Sequence, residues 1–312
     1  MATQTLAEAA KLINNQIVQG VAEDIITTNP MWNAMPWTGY EGQAILVNRE
    51  NALGDAQNLA IGGTITAKAA ATFTQIPFSA TTTIGDAEIN GLVKAQSSAA
   101  GVDQLAIEIS SKAKSVGRLL QTGIATGTGV APYLNSLHTL CDAAQYTTAS
   151  AGQAISLILL DQLLDLVKAK DGQVDWIMMP ARTIRAYKAL VRQLGGVTET
   201  MAYTMPNGTS RTVSVYEGIP IFQNDYLSIA ETANGAALTG GALTSVFAGC
   251  WDDGSNKIGV SMIHPMSVPA GIQIETVGVA ESKDESITRV KSYSNFALFN
   301  RKGLARLTSI NN

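Results

Sequence analysis

A long stretch with few apolar residues, 49–83, constrains the fold of this chain more than any other part. It consists mainly of Gly, Ala, Thr and Asn, with Gly62 and Gly63 near its middle and Lys68 as its only lysine. Weak alternation over 72–78 favours a strand, and strands flanking a Gly-Gly tip predict a hairpin. Because an isolated hairpin is marginal in water, we expect this one to project from the body and to be ordered mainly by neighbouring molecules.

The composition points in the same direction. Charged residues make up 15% of the 312 residues, against roughly 25% in an average soluble domain, while 46% are hydrophobic. This balance predicts that a membrane, a fibre neighbour or identical subunits cover much of the surface. No apolar run approaches the roughly 18 residues of a membrane-spanning helix. The net charge is −4, so the chain lacks the basic footprint of a tight DNA binder. A fibre neighbour or identical subunits are the coverings that remain.

A terminal amphipathic helix is predicted over 6–26. Its apolar residues recur every three or four positions and include Ile13, Ile17 and Val21. A lone helix of this kind must place its apolar face against something. It either docks on its own domain or reaches a neighbouring subunit.

The longest predicted helix covers 102–125. Its apolar stripe includes Leu105, Ile109, Val116 and Leu120 at steps of three or four residues. At about 1.5 Å per residue such a helix is a rod of about 35 Å. We expect the stripe to be a structural core that packs against the strands of the C-terminal tail.

The region after this helix predicts alternating helices and strands. A β tail over 271–310 follows it, with breaks near 281–285 and 300–303. The predicted elements before the tail are helices over 157–170 and 181–194, strands over 174–179, 212–216 and 219–222, and a hairpin formed by 246–251 and 258–263.

No catalytic or metal-binding constellation is present in the sequence. His138 and Cys141 form at most a pair, whereas a catalytic zinc site needs three protein ligands and a structural one four. Cys141 and Cys250 are expected to be buried thiols. The acidic stretch 252–256 lacks calcium-hand spacing and favours a turn. We therefore expect that the protein is not an enzyme and that it binds no cofactor and no metal.

Several stretches, in this order, carry a family resemblance. Ile84–Asn90 leads to the long helix, which opens with Gln104–Ile109; Asp175–Pro180, Tyr216–Ile221 and Thr288–Tyr293 follow. Together they resemble the major capsid proteins of tailed double-stranded DNA bacteriophages. That family has the Hong Kong 97-like fold.

The resemblance implies an α+β chain in four parts. These would be an N-terminal arm (1–41), an extended-loop hairpin (42–84), a peripheral domain with a long spine helix and a β tail (85–129 and 268–312), and an axial α/β domain (130–267).

The resemblance also implies a function. The chain would assemble with itself, as pentamers and hexamers, into an icosahedral head shell that encloses DNA without sequence-specific binding and without a membrane. Scaffold, portal and decoration proteins are further candidate partners. The protein would assemble in the host bacterial cytoplasm and reside in the virion. The expected intersubunit residues are Ile13, Ile17, Val21, Gly62, Gly63 and Lys68.

Other functions remain open from the sequence. An encapsulin-like nanocompartment resembles the same fold but encloses enzymes. A soluble α/β enzyme without a recognisable site, and a phage tail or decoration component, are more distant alternatives.

Relatives in this family can form a Lys–Asn isopeptide bond between subunits. Here it would need Lys68, an acceptor at Asn295 or Asn300, and Glu281 or Glu285. We expect instead that the shell is held together without covalent bonds.

Overall fold

The computed structural model describes residues 34–99, 104–169, 172–204, 210–254 and 258–311. The predicted arm helix, with Ile13, Ile17 and Val21, lies outside the described residues. Two β-sheets and a separate two-stranded hairpin contain the named strands. Among the described helices, none has the length and apolar character needed to cross a membrane.

The elements are numbered in chain order within the described residues. The strands are β1 (Trp37–Tyr40), β2 (Ile45–Ala52), β3 (Thr72–Phe78), β4 (Thr81–Asn90), β5 (Tyr146–Gln153), β6 (Trp176–Met179), β7 (Thr200–Thr204), β8 (Ser210–Tyr216), β9 (Ile219–Gln223), β10 (Thr244–Gly249), β11 (Val260–Pro265), β12 (Gln273–Val279), β13 (Glu285–Leu298) and β14 (Leu304–Ile310). The α-helices are α1 (Gly91–Ala99), α2 (Gln104–Thr126), α3 (Leu137–Leu140), α4 (Leu157–Lys168) and α5 (Ala181–Gln193).

Seven strands form the axial sheet, in the order β5-β14-β10-β6-β9-β8-β7. Helices α4 and α5 pack on one face of this sheet through an apolar core that includes Leu160, Leu163 and Ile177. The side chain of Ser156 begins α4 by accepting a hydrogen bond from the Leu159 amide at 3.3 Å. Strands β6 and β10 are buried along their whole length because they lie at the centre of the sheet.

Five strands form the peripheral sheet, in which β1, β11, β13 and β12 are successive neighbours and β4 also pairs with β13. The 14-residue strand β13 organises this sheet. It pairs with β4 from Glu285 to Ser294, with β12 near its start and with β11 near its end. One strand therefore connects the outer part of the sheet with the part next to the axial sheet.

The spine helix, α2, packs on β4 and β13. Val116, Leu120 and Ile124 are buried in a core shared with apolar side chains of β13. Ile109 is half-buried at the margin of this core, and Leu105 is half-buried without belonging to it. The helix was expected to pack on the strands of the tail. In the structure β4, which precedes the helix in the chain, shares the contact with the tail strand β13.

Replacing Leu120 by alanine should lower the free energy of unfolding by about 2–5 kcal/mol, because a fully buried leucine leaves a cavity when it is truncated. Leu119→Ala is the matched control: its side chain is 56% exposed on the same helix, and its effect should stay within about 0.5 kcal/mol. Urea unfolding of isolated subunits measures both values. Equal midpoints for the two variants would contradict this packing.

The predicted hairpin of strands 246–251 and 258–263 is wrong. β10 lies in the axial sheet between β14 and β6, whereas β11 lies in the peripheral sheet between β1 and β13. All six residues of β10 are buried, and both of its neighbouring positions are already occupied. The chain passes between the sheets at Gly259, where a Cβ would lie 2.2 Å from the carbonyl oxygen of Cys250. Only glycine allows this close approach.

The division between the sheets also departs from the expected domain ranges. β11 belongs to the peripheral sheet although it falls within 130–267, and β14 returns to the axial sheet although it falls within 268–312. β14 is buried over its whole length between β5 and β10. Its apolar residues contribute to the cores on both faces of the axial sheet. For this reason β14 belongs to the axial sheet and not to the peripheral domain.

Candidate functional site

The predicted projecting hairpin is formed by β2 and β3, which pair from Ile45 opposite Phe78 to Ala52 opposite Thr72. Its root packs on the body through a small apolar cluster that includes Tyr40, Phe78 and Phe299. Further out, the segment between the strands has no strand structure, and almost all of its side chains are exposed.

The outer part of the hairpin, residues 53–71, is organised by its own polar groups. The side-chain carbonyl of Gln57 accepts hydrogen bonds from the amides of Thr66 and Ala67 at 2.8 and 2.7 Å. Gly62 occupies the turn with φ of +81°, a conformation that favours glycine. Gly63 follows it in the bend, and its amide donates to the carbonyl of Ala60 at 2.9 Å. The expected intersubunit glycines therefore lie at the far end of the hairpin.

The hairpin also exposes large apolar side chains. These are Leu46, Leu53, Leu59, Ile61, Ile65 and Phe73. None of them belongs to an apolar core of the described residues. Several large apolar side chains exposed on one element are typical of a contact with another molecule.

A second apolar surface lies at the edge of the peripheral sheet. β12 pairs with β13 on one side only, and Ile274, Val277 and Val279 on it are exposed. An unpaired edge strand with apolar side chains invites association unless another chain covers it.

Charged residues lie beside this apolar edge. Arg289 forms a two-pronged ion pair with Asp86 at 2.9 and 3.0 Å, and Lys291 pairs with Glu275. The hydrogen bond from Arg289 lowers the pKa of Asp86. The peripheral sheet therefore combines an apolar edge with polar side chains that are already paired.

A third apolar surface lies at the end of the axial sheet. Leu194 and Val197 follow α5, and Met201 lies on the edge strand β7; all three are exposed. Exposed apolar side chains thus occur on the hairpin, on the peripheral edge and on the axial end. Each of the three could meet another copy of the chain.

One group of titratable side chains resembles a catalytic cluster, but it is buried. Arg306 on β14 donates to Glu231 Oε2 at 3.0 Å and to Ser245 Oγ at 2.9 Å. Ser245 donates to the same carboxylate oxygen at 2.5 Å, and His138 Nε2 lies 3.5 Å from Glu231 Oε1. Gly235 is needed beside them, since a Cβ there would lie 1.9 Å from the guanidinium.

This Arg306 cluster has a structural role. The side chains of Arg306, Glu231 and His138 are 3%, 0% and 7% exposed, so a substrate has no surface at which to meet them. The cluster ties β14, β10, α3 and the segment around Glu231 together. In the sequence, His138 forms at most a pair with Cys141; in the structure it lies beside Glu231. A charged residue inside the apolar run of β14 was the missed signal, because a buried arginine needs an acidic partner.

Acid should weaken the fold through His138. Burial lowers its pKa to about 3, and the charge of Arg306 adds to the effect, whereas the unfolded chain takes up the proton near pH 6.5. Stability that is present above about pH 6.5 is therefore lost as the pH falls towards about 3. Burial raises the pKa of Glu231. Its contribution to stability is therefore present below its ordinary value near 4.5 and is lost as the pH rises above that value, which is opposite to the effect of His138.

Replacing His138 by phenylalanine isolates its contribution. Urea midpoints of the wild-type subunit should fall steadily between about pH 6.5 and about pH 3, and those of His138→Phe should fall less. The same acid dependence in both proteins would show that His138 is not the group responsible.

The residues that were weighed as metal ligands and set aside have structural positions. Both cysteines are buried thiols outside any disulfide, and burial raises the pKa of Cys141 to about 12. Within the described ranges, no group of three potential metal ligands occurs. Asp252 is largely buried and lies 3.5 Å from the hydroxyl of Thr38, which donates to it.

The residues considered for a cross-link do not form a site within one chain. Lys68 is exposed on the hairpin. Asn295 is buried, its side-chain oxygen accepts from the amides of Asn135 and Phe296, and its nitrogen donates to the carbonyl of Ser79. Those bonds make Asn295 a structural residue. Asn300 is exposed and begins a short 3₁₀ turn.

Solved structures share this architecture over the whole chain, whereas no protein-family model and no curated protein sequence matches it. The holo-SrpI encapsulin complex of Synechococcus elongatus PCC 7942 superposes with a TM-score of 0.71 at 14% identity, covering 100% of this chain and 97% of the encapsulin. The capsid of a native GTA particle gives 0.66 at 10% identity, covering 99% of each chain. The capsid of Myoviridae phage XM1 gives 0.59 at 12% identity, covering 99% of this chain and 100% of the other.

These comparisons define the class of fold. The predicted Hong Kong 97-like fold is confirmed. The architecture that this chain shares with capsid proteins and an encapsulin covers 99–100% of its length. Within the described residues, this architecture consists of the hairpin, the long helix α2 and the two sheets.

Proposed function

We propose that this protein is a structural subunit that assembles with copies of itself into an icosahedral shell, the head of a tailed bacteriophage. The observation that carries the proposal is the exposed apolar surface on the hairpin, the peripheral edge and the axial end of a fold shared with shell proteins. Surfaces of this kind fit a subunit that meets neighbours on several sides.

The hairpin is the principal intersubunit element of this proposal. Gly62, Gly63 and Lys68 lie in its outer part, which has few contacts with its own chain and would lie on a neighbouring subunit. The arm residues Ile13, Ile17 and Val21 would form a second contact, with a neighbouring subunit or a scaffold. Such contacts repeat in pentamers and hexamers, so each surface meets the same partner surface around the shell.

The shell would enclose double-stranded DNA without reading its sequence. The net charge of −4 supports this, because tight DNA binding needs clustered positive charge. The subunit would assemble in the host cytoplasm, with scaffold, portal and decoration proteins as further partners, and remain in the virion. In this role it performs no catalysis, and burial of the Arg306 cluster agrees with that.

An encapsulin-like compartment is the second candidate function. The observation in its favour is the TM-score of 0.71 with an encapsulin over the whole chain. Its shell would enclose a protein cargo in place of DNA. The two candidates therefore share the same assembly and differ in their contents.

The contents of particles purified from the source cells distinguish the candidates. We expect megadalton particles whose ultraviolet absorbance and extraction show nuclease-protected DNA. Particles that contain a folded protein and no protected DNA would favour the compartment. A small oligomer on gel filtration would contradict both shell functions.

A further inference from the structure

The hairpin is attached to the body at its root. The apolar side chains there face a cluster that includes Ile263, Ala297 and Phe299. On the hairpin these root side chains are Ile45, Val47, Ile76 and Phe78. From Glu50 to Gln75 every side chain is exposed except Ala67 and Ala71. The attachment therefore ends at Arg49, two residue pairs beyond Val47.

Arg49 makes the outermost hydrogen bonds between hairpin and body within the described residues. Its Nε donates to the carbonyl of Phe299 at 3.0 Å, and its Nη2 donates to the carbonyl of Leu298. These acceptors are 250 and 249 residues away in sequence, at the end of β13. The guanidinium also lies 5.9 Å from the centre of the Phe78 ring. A planar fork that bonds two successive carbonyls fixes direction as well as distance.

Two further charges surround this contact. Arg301 pairs with Asp142 at 2.6 Å, and Asp142 also accepts from the amide of Ala144 at 2.9 Å. Partial burial lowers the pKa of Arg49, the charge of Arg301 adds to this, and Asp142 opposes both. The hairpin, the end of β13 and the segment after α3 thus meet at one charged junction.

We propose that Arg49 is a positioning residue for assembly: its two hydrogen bonds to the end of β13 fix the direction in which the hairpin leaves the body. This inference rests on the proposed function for its consequence, because a fixed direction brings the outer hairpin onto the correct part of a neighbour. The apolar root holds the bases of both strands, and Arg49 adds the outermost attachment, which limits bending of the hairpin about its root.

The direction of the hairpin is measurable in the isolated subunit. Spin labels on cysteines placed at Ala52 and Gln162, both exposed, report the distance between the hairpin and α4. The native Cys141 and Cys250 are buried and should not react in the folded chain. We expect a single narrow distance distribution in the otherwise wild-type protein. Arg49→Met should broaden or shift it.

Two further variants keep the test decisive. Arg49→Lys retains the charge but lacks the planar fork, so it should broaden or shift the distribution in the same direction. If Arg49→Met does not fold, Arg49→Lys takes its place in the experiment. Arg185→Met removes an exposed arginine from α5 and should leave the distribution unchanged. An unchanged distribution in a folded Arg49 variant overturns the proposal.

Assembly supplies the second readout. Folded Arg49 variants with a changed distribution should lose uniform closed particles, while their melting temperature as subunits stays close to the wild type. Uniform particles from such a variant would overturn the link between hairpin direction and assembly. If the wild-type chain forms no particles, the proposed function fails, and the distance measurement still decides whether Arg49 fixes the hairpin.

Discussion

Replacing Glu231 by glutamine should destabilise the subunit by about 3–5 kcal/mol near neutral pH, because Arg306 is left as a buried charge without its counter-ion. The guanidinium would keep its bond to Ser245 and its position beside the rings of Tyr146 and Phe247. None of these groups supplies a negative charge. Urea unfolding of the isolated subunit, followed by circular dichroism, measures the loss.

A double variant separates the charge from the packing. Glu231→Leu combined with Arg306→Met removes both charges, and it should recover most of the stability lost in Glu231→Gln. A Glu231→Gln subunit that unfolds at the wild-type urea concentration would show that the ion pair is not needed in this core.

Shortening the hairpin should abolish shell formation while leaving a folded subunit. The change removes residues 54–70 and joins Leu53 to Ala71 through an Asn-Gly turn, which continues the paired strands with a favoured two-residue connection. The removed residues contribute nothing to the apolar cores of the described chain, so melting should stay close to wild type. Sedimentation of the expressed protein measures the loss of particles.

A full-length variant tests whether the apolar side chains are the cause. Leu59, Ile61 and Ile65 changed together to serine keep the length of the hairpin and remove its exposed apolar surface. This variant should also assemble poorly, whereas Gln162→Ala, an exposed polar change on α4, should assemble normally. Normal particles from the shortened hairpin would show that it is not an intersubunit element.

Features set by short stretches of sequence were predictable. The spine helix was predicted over 102–125 and spans Gln104–Thr126, because its stripe repeats over six turns. The helix predicted over 157–170 begins at Leu157, as expected, and ends two residues earlier than expected. The hairpin was predictable for the opposite reason, since its segment has too few apolar residues for a core.

Pairing between distant strands was not predictable in the same way. β10 and β11 read as a hairpin because a polar turn separates two apolar runs. Each run is buried enough to require two neighbours, and those neighbours come from elsewhere in the chain. β14 pairs in parallel with β5, whose residues lie about 160 positions earlier. Local periodicity carries no information about such partners.

The candidate site also combines features that the local sequence predicts with features that depend on distant residues. The exposed hairpin followed from composition, whereas the role of Arg49 depends on carbonyl groups 250 residues away. The Arg306 cluster also joins residues from four separate parts of the chain. Apolar edges such as Ile274 and Val279 could not be told from core positions by sequence pattern, because both occur in similar strands.

Electron cryo-microscopy of the purified protein is the most direct test of shell assembly. We expect closed icosahedral shells built from pentamers and hexamers, in which the outer hairpin of each subunit lies on a neighbouring subunit. A small, discrete oligomer with the hairpins directed into solvent would contradict it.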